Sequence, residues 1–266
     1  MTVTAAATPT KTAITDRPMI EFKDVVKTFG KQRVLDGLSM SIPRGKVSCV
    51  IGRSGTGKSV TLKHMIGLMR PDSGEVLVDG ADVTKMKERE LYALRKRFGF
   101  LFQDAALFDS MNVFDNVAFP LREHTRHSSH EIADIVRAKL KVVGLSAAEE
   151  KMPSQLSGGM RKRVGLARAI ALDPEIILFD EPTSGLDPVV TDAVDQMILS
   201  TQEQLRVTMV VITHDVASMM KIADKIILLH GGSVRAEGTR DEIRASADPM
   251  VQQFLQGRSD GPMKVQ

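Results

Sequence analysis

The chain has 266 residues, 42% of them hydrophobic, with a formal net charge of +3. That length suits one large domain or a domain with a subdomain, and no apolar run reaches the 18 or more residues of a bilayer-spanning helix. A single cysteine, Cys49, excludes an internal disulfide framework, and the mildly basic balance admits an anionic partner without choosing among nucleotide, membrane surface and nucleic acid.

Residues 1–17 are rich in Ala and Thr and lack an apolar h-region, so they read as a disordered lead-in and not a secretion signal. Residues 20–26, 33–35 and 38–42 read as short strands, the last two parted by Asp36-Gly37, and Pro43-Arg44-Gly45 breaks the pattern. The apolar run Val47-Ser48-Cys49-Val50-Ile51 then enters Gly52-Arg53-Ser54-Gly55-Thr56-Gly57-Lys58-Ser59, and a helical stretch over 59–68 leaves it. Strand, glycine loop and helix together are the context of a phosphate-binding loop. Glycines let the backbone wrap so that its N–H groups point at phosphates, and the helix N-terminus adds unpaired donors and positive dipole. Lys58 would reach the β- and γ-phosphates and the Ser59 hydroxyl would ligate Mg²⁺. The expected ligand is a nucleoside triphosphate.

Beyond the loop, Pro71-Asp72-Ser73-Gly74 is a turn, 75–78 a short strand closed by Asp79-Gly80, 88–97 a helix and 98–102 an apolar strand. Strand signals then stop until about Ser157. Ile132, Ile135, Val136, Leu140 and Val143 give 131–143 an amphipathic helical period, and 158–172 reads as a second helix stopped by Asp173-Pro174. Residues of about 104–172 are therefore expected to form an inserted helical subdomain, with Arg161-Lys162-Arg163 as a solvated face. Three apolar strands follow at 176–179, 209–213 and 226–229. Such runs separated by helices indicate an α/β fold whose mostly parallel sheet is covered on both faces. The tail over 248–266 is polar, with Met250, Val251, Phe254 and Leu255 as its apolar residues.

Asp180 and Glu181 close the first of those strands, at the end that faces ligands in a parallel sheet. There Asp180 would hold Mg²⁺ directly or through water, and Glu181 would polarise the attacking water. Leu156-Ser157-Gly158-Gly159-Met160 opens a helix with a Ser cap and free N–H groups, an arrangement suited to an anion. With that segment the chain resembles the ATP-binding-cassette (ABC) ATPases, whose elements appear here in the family's order over about 20–229. The resemblance implies a P-loop core with an N-terminal antiparallel β-subdomain, a cassette over 18–247 and a C-terminal extension over 248–266. It implies that Phe29 stacks on adenine, and that the loop from Gly52 through Val60 cradles the phosphates. Gln103 would join the metal and the attacking water, and His214 would contact the γ-phosphate. Asp187, in Pro182-Thr183-Ser184-Gly185-Leu186-Asp187, would lie on a loop crossing between subunits. Ser157, Gly158 and Gly159 would meet ATP held by a second copy, giving a homodimer with two ATP molecules sandwiched head to tail. Val60 and Met160 stand where relatives often carry a hydroxyl residue and Gln; neither change touches Lys58, Glu181 or His214.

Residues 101–108 and 111–124, with the tail, resemble the ATPase subunit of the Mla/Mce-type phospholipid transporters. That implies an MlaE-like integral-membrane permease, an MlaD-like lipid-binding substrate protein, a small regulatory subunit in some systems, and a place at the cytoplasmic face of a bacterial inner membrane. Leu107, Phe108, Val113 and Phe114 are expected to line a groove for a short permease helix, or to pack the helical subdomain. Amino-acid uptake and lipoprotein-release ATPases share much of this surface, so a solute importer stays open. A nucleic-acid-associated ABC ATPase fits less well, since one cassette with no cysteine cluster and no heptad arm lacks that class's usual additions.

Overall fold

The computed structural model describes residues 17–263; the lead-in read over 1–17 falls, except for Arg17, outside them. The chain opens with the hairpin β1 (Ile20–Phe29) and β2 (Gln32–Ile42), then β3 (Val47–Ile51), α1 (Lys58–Met65), β4 (Ser73–Val78), β5 (Ala81–Asp82), α2 (Glu88–Arg95) and β6 (Phe98–Leu101). Three helices follow, α3 (Val113–His124), α4 (Ser129–Val142) and α5 (Gly158–Ala169). The last part alternates β7 (Ile176–Asp180), α6 (Pro188–Leu205), β8 (Thr208–Ile212), α7 (Val216–Ile222), β9 (Lys225–His230), β10 (Ser233–Gly238), α8 (Arg240–Ala245) and α9 (Pro249–Gln256).

Two sheets result. The N-terminal one is antiparallel, in the order β2-β1-β4-β5; the other runs β10-β9-β3-β8-β7-β6, parallel from β9 to β6 with β10 antiparallel at its edge. The near-continuous apolar strands bury both faces because successive side chains alternate. Cys49, Phe179, Val211 and Leu228 face a core shared with α3 to α7, whereas Val50, Leu178, Val210 and Ile227 face one shared with the N-terminal sheet, α1 and α2. The carboxyl ends of β3 and β7 come side by side across β8, which is where the loop and Asp180 emerge.

The structure corrects several sequence expectations. Strand β2 runs unbroken through Asp36-Gly37, absorbing Gly37 as an irregularity in its pairing with β1. Of Arg161, Lys162 and Arg163 only Arg161 is solvated as expected: Lys162 is buried and Arg163 half-buried, and the three side chains donate to the backbone carbonyls of Leu156, Gln103 and Val143 respectively. The polar tail folds back as α9, capped by Asp248, with Val251 buried and Gln253 bonded to both the N–H and the carbonyl of Met263. Among the described residues no helix is long and apolar enough to cross a membrane.

Candidate functional site

The loop after β3 turns into α1 at Gly57, whose φ of +94° and position make it the helix cap. A Cβ there would come within 2.7 Å of Leu35 Cδ2, so conformation and packing both call for glycine. The first-turn N–H groups of α1 have no intrahelical partner. Lys58 folds back over the loop, its Nζ donating to the carbonyls of Gly52 at 2.8 Å and Arg53 at 2.9 Å. Burial pulls its pKa down, opposed by the charges of Glu181 and Asp180. Thr56 Oγ1 donates to Arg53 O at 2.8 Å and closes the loop on itself.

Two acids face this loop. Asp180 Oδ1 lies 3.4 Å from Ser59 Oγ; burial raises the Asp180 pKa, against the Ser59 hydrogen bond and the Lys58 charge. Glu181 takes a left-handed backbone, φ +50°, while its N–H donates to Ile212 O at 2.9 Å. A non-glycine residue in that region is costly and marks sites where geometry matters more than local stability. Glu181 Oε2 sits 2.7 Å from His214 Nδ1, with side-chain exposures of 15% and 67%. Gln103 Nε2 reaches Ser184 Oγ at 3.4 Å, linking the loop after β6 to the loop after β7.

These residues surround a cavity of ≈ 510 Å³ lined by Phe29, Ser54, Gly55, Gly57, Lys58, Ser59, Val60, Gln103, Asp180 and Glu181. Gln32, Val34 and Ile212 also line it and carry no motif that would single them out. Ser59, Asp180 and Gln103 present oxygen donors, the set that suits Mg²⁺. Among the described residues no group of three or more His, Cys, Asp or Glu could hold a metal by itself.

Eight predicted site residues are not among those lining this cavity: Gly52, Arg53 and Thr56 belong to the loop beside it and His214 touches its Glu181, whereas Ser157, Gly158, Gly159 and Asp187 lie at the starts of α5 and α6. Ser157 caps α5, its Oγ accepting from Met160 N–H at 3.3 Å. Asp187 caps α6, accepting from the N–H groups of Val189 and Val190 at 3.0 and 3.1 Å. A Cβ on Gly159 would come within 2.7 Å of Val190 Cγ1, and one on Gly158 within 3.1 Å of Leu186 Cδ2. The two helix starts therefore pack against each other, and Val189 beside them is 79% exposed.

A second, apolar groove of ≈ 450 Å³ lies over the edge of β6, lined by Phe98, Phe100, Phe102, Phe108, Phe119 and Leu172 and rimmed by Tyr92, Lys96, His124 and Arg168. Of the residues expected at a partner groove, Phe108 lines it; Val113 is buried in the core, and Leu107 and Phe114 pack against that core.

The family profile described as ABC transporter matches residues 35–184. The chain belongs to the ABC transporter family. It is an ABC-type ATP hydrolase. Its relatives include the "Probable ribonucleotide transport ATP-binding protein mkl" of Mycobacterium leprae, 49% identical over 92% of this chain and 70% of that protein. The "Intermembrane phospholipid transport system ATP-binding protein MlaF" of Haemophilus influenzae is 45% identical over 92% of this chain and 93% of that protein. The bacterial ABC transporter cassette MJ0796, solved as a dimer, superposes with a TM-score of 0.76 at 33% identity, covering 84% of this chain and 99% of that one. The same cassette has also been solved in a post-hydrolysis state bound to ADP and Pi. The chain is therefore an ABC ATPase of the MlaF type, with the P-loop core, antiparallel β-subdomain and helical insertion expected of it.

Proposed function

We propose that this ATPase drives phospholipid transport between the inner and outer membranes of a bacterium, as a homodimer on the cytoplasmic face beside a separate permease. The observation that carries the lipid assignment is the likeness to MlaF, which extends over 92% of this chain and 93% of that protein and so reaches well beyond the motifs. An MlaE-like permease and an MlaD-like lipid-binding protein are the partners this implies, with a small regulatory subunit as a further member; no nucleic acid is involved. The aromatic groove beside α3 would receive a short permease helix. The cassette would span 18–247, with its helical subdomain at about 104–172 and the extension from 248.

In the nucleotide site, Phe29 would stack on adenine, and the backbone from Gly52 to Val60 would hold the phosphates. Lys58 would exchange its loop carbonyls for phosphate oxygens. Bound Mg²⁺ would neutralise charge on the phosphates, and Ser59, Asp180 and Gln103 would hold it. Glu181 would take a proton from the attacking water, with its carboxylate oriented by His214. Ser157, Gly158 and Gly159 lie outside the cavity of their own chain, which favours their use on a partner's ATP, with Asp187 at the crossing. The dimer of the related cassette supports that arrangement.

The mycobacterial relatives named for ribonucleotide transport keep a small-solute reading in play. Deleting this gene separates the two. Phospholipid accumulation in the outer leaflet, with detergent sensitivity, is expected. Intact outer-leaflet composition combined with lost ribonucleotide uptake would overturn the lipid assignment.

A further inference from the structure

The basic run on α5 has a definite task in the structure. Lys162 is only 5% exposed, and its Nζ donates to the backbone carbonyl of Gln103. Further along the same helix Arg168 donates to Ala105 O at 2.7 Å and to Ala106 O at 2.8 Å. Three of four consecutive carbonyls, those of residues 103, 105 and 106, are thus gripped by cations from one helix. Among the described residues no carboxylate forms an ion pair with Lys162. Burial pulls its pKa down, with the Asp104 charge opposing. A buried ammonium bonded to a neutral carbonyl is an expensive way to add stability.

The gripped segment needs the restraint. Ala105 and Ala106 both adopt left-handed backbone, φ +60° and +47°. Side chains disfavour that region, and such backbone persists only where its surroundings over-determine it. The segment also joins two surfaces. The Gln103 side chain enters the nucleotide cavity, whereas Phe102, Ala106 and Phe108 line the apolar groove. A shift at the Gln103 carbonyl would move the amide that points at Ser184.

We propose that Lys162 is a positioning residue for the nucleotide site: its bond to the Gln103 carbonyl fixes the backbone from which the Gln103 amide enters the cavity. This rests on the reading of Gln103 as a site residue. Arg168 holds the other end of the same segment and keeps the strained pair of alanines in place when nucleotide is absent.

The test uses the full-length protein with Gln103→Ala, Lys162→Met, Lys162→Arg and the Gln103→Ala/Lys162→Met double variant. Amide hydrogen exchange without nucleotide should rise by about tenfold over 103–106 in Lys162→Met and return toward wild type in Lys162→Arg. Hydrolysis should fall by about tenfold to a hundredfold in kcat, with KM for ATP within about twofold of wild type. The double variant should be no slower than Gln103→Ala alone, because both changes remove the same positioned amide. Unchanged exchange over 103–106, or losses that multiply in the double variant, would overturn the proposal. If Gln103→Ala by itself leaves hydrolysis unchanged, it is the placement of Gln103 in the site that fails. Should Lys162→Met not fold, Lys162→Gln, a neutral donor of shorter reach, takes its place with the same expectations.

Discussion

One chain carries two glycine-opened helix starts, at α1 and at α5, and they are furnished very differently. The start of α1 sits in a cavity with its own cation, two acids and an aromatic at the rim: Lys58, Asp180, Glu181 and Phe29 all line it. The start of α5 has a serine cap and two glycines, packed against Leu186 and Val190, at an edge where Val189 is exposed. Both offer backbone donors to an anion. Only the first is equipped to hold a charged ligand and a metal and to move a proton. In the composite site proposed above, the first half would carry the chemistry and the second would supply geometry that another copy completes.

The sharpest way to break this comparison is at Glu181. Glu181→Gln keeps the shape of the side chain but removes the base, so hydrolysis should fall by about 10²–10⁴-fold while ATP still binds. Near wild-type turnover would mean that the α1 half does not carry the proton transfer. Lys58→Ala comes next. It removes the cation that now rests on the Gly52 and Arg53 carbonyls, and charged hydrogen bonds of this kind are worth about 1.5–3 kcal/mol. ATP affinity measured by calorimetry should drop by about 10–100-fold in a folded protein; unchanged affinity would sink the assignment of the loop lysine.

A smaller effect tests the other half. Val189 lies within the first turn of α6, after the Asp187 cap and Pro188. Val189→Asp places a negative charge near a helix N-terminus, which favours the helix by about 0.3–1 kcal/mol. Thermal stability should therefore hold, while ATP-dependent dimerisation of a Glu181→Gln background, followed by light scattering, should weaken by about tenfold through the charge buried at the contact. Full dimer formation in the charged variant would place the contact elsewhere.

How much of this could be read beforehand varied with the kind of signal. The P-loop and the acids after β7 were legible because motif and strand context coincide in a few consecutive residues. The two-sided burial of the parallel sheet was legible from its unbroken apolar runs. The continuity of β2 was not, because Asp36-Gly37 is also a strong turn signal, and only pairing with β1 shows that the strand absorbs it. The helix α3 was hidden by Pro120 inside it. The helix α9 was hidden by a polar composition whose order depends on contacts such as Gln253 with Met263. The burial of Lys162 is hidden for a related reason. A lysine between two arginines looks solvated until a carbonyl 59 residues away in the chain is brought to it. Long-range partners of backbone carbonyls leave no pattern in sequence.

The last prediction joins the halves directly and has the smallest expected signal. Lys58→Ala spoils the loop half; Ser157→Arg spoils the α5 half, at a folding cost of about 1 kcal/mol for the lost cap. Each homodimer then has two damaged composite sites, and neither variant alone should hydrolyse ATP appreciably. In a heterodimer, the loop of the Ser157→Arg chain meets the α5 start of the Lys58→Ala chain, so one undamaged site is rebuilt and the other is doubly damaged. In an equal mixture about half the dimers are mixed, each with one good site of two, so hydrolysis should recover to about a quarter of wild type if the sites act independently. Repeating the mixture in a Glu181→Gln background removes that condition, because retained nucleotide reports assembly without turnover; about one ATP per mixed dimer should stay bound. If each chain completed its own site, every chain in the mixture would carry one broken half, and neither recovered hydrolysis nor retained nucleotide would be seen. Recovery in the mixture therefore requires the α5 start of one copy to serve the α1 loop of another, and its absence in both measurements would return the two helix starts to unrelated roles.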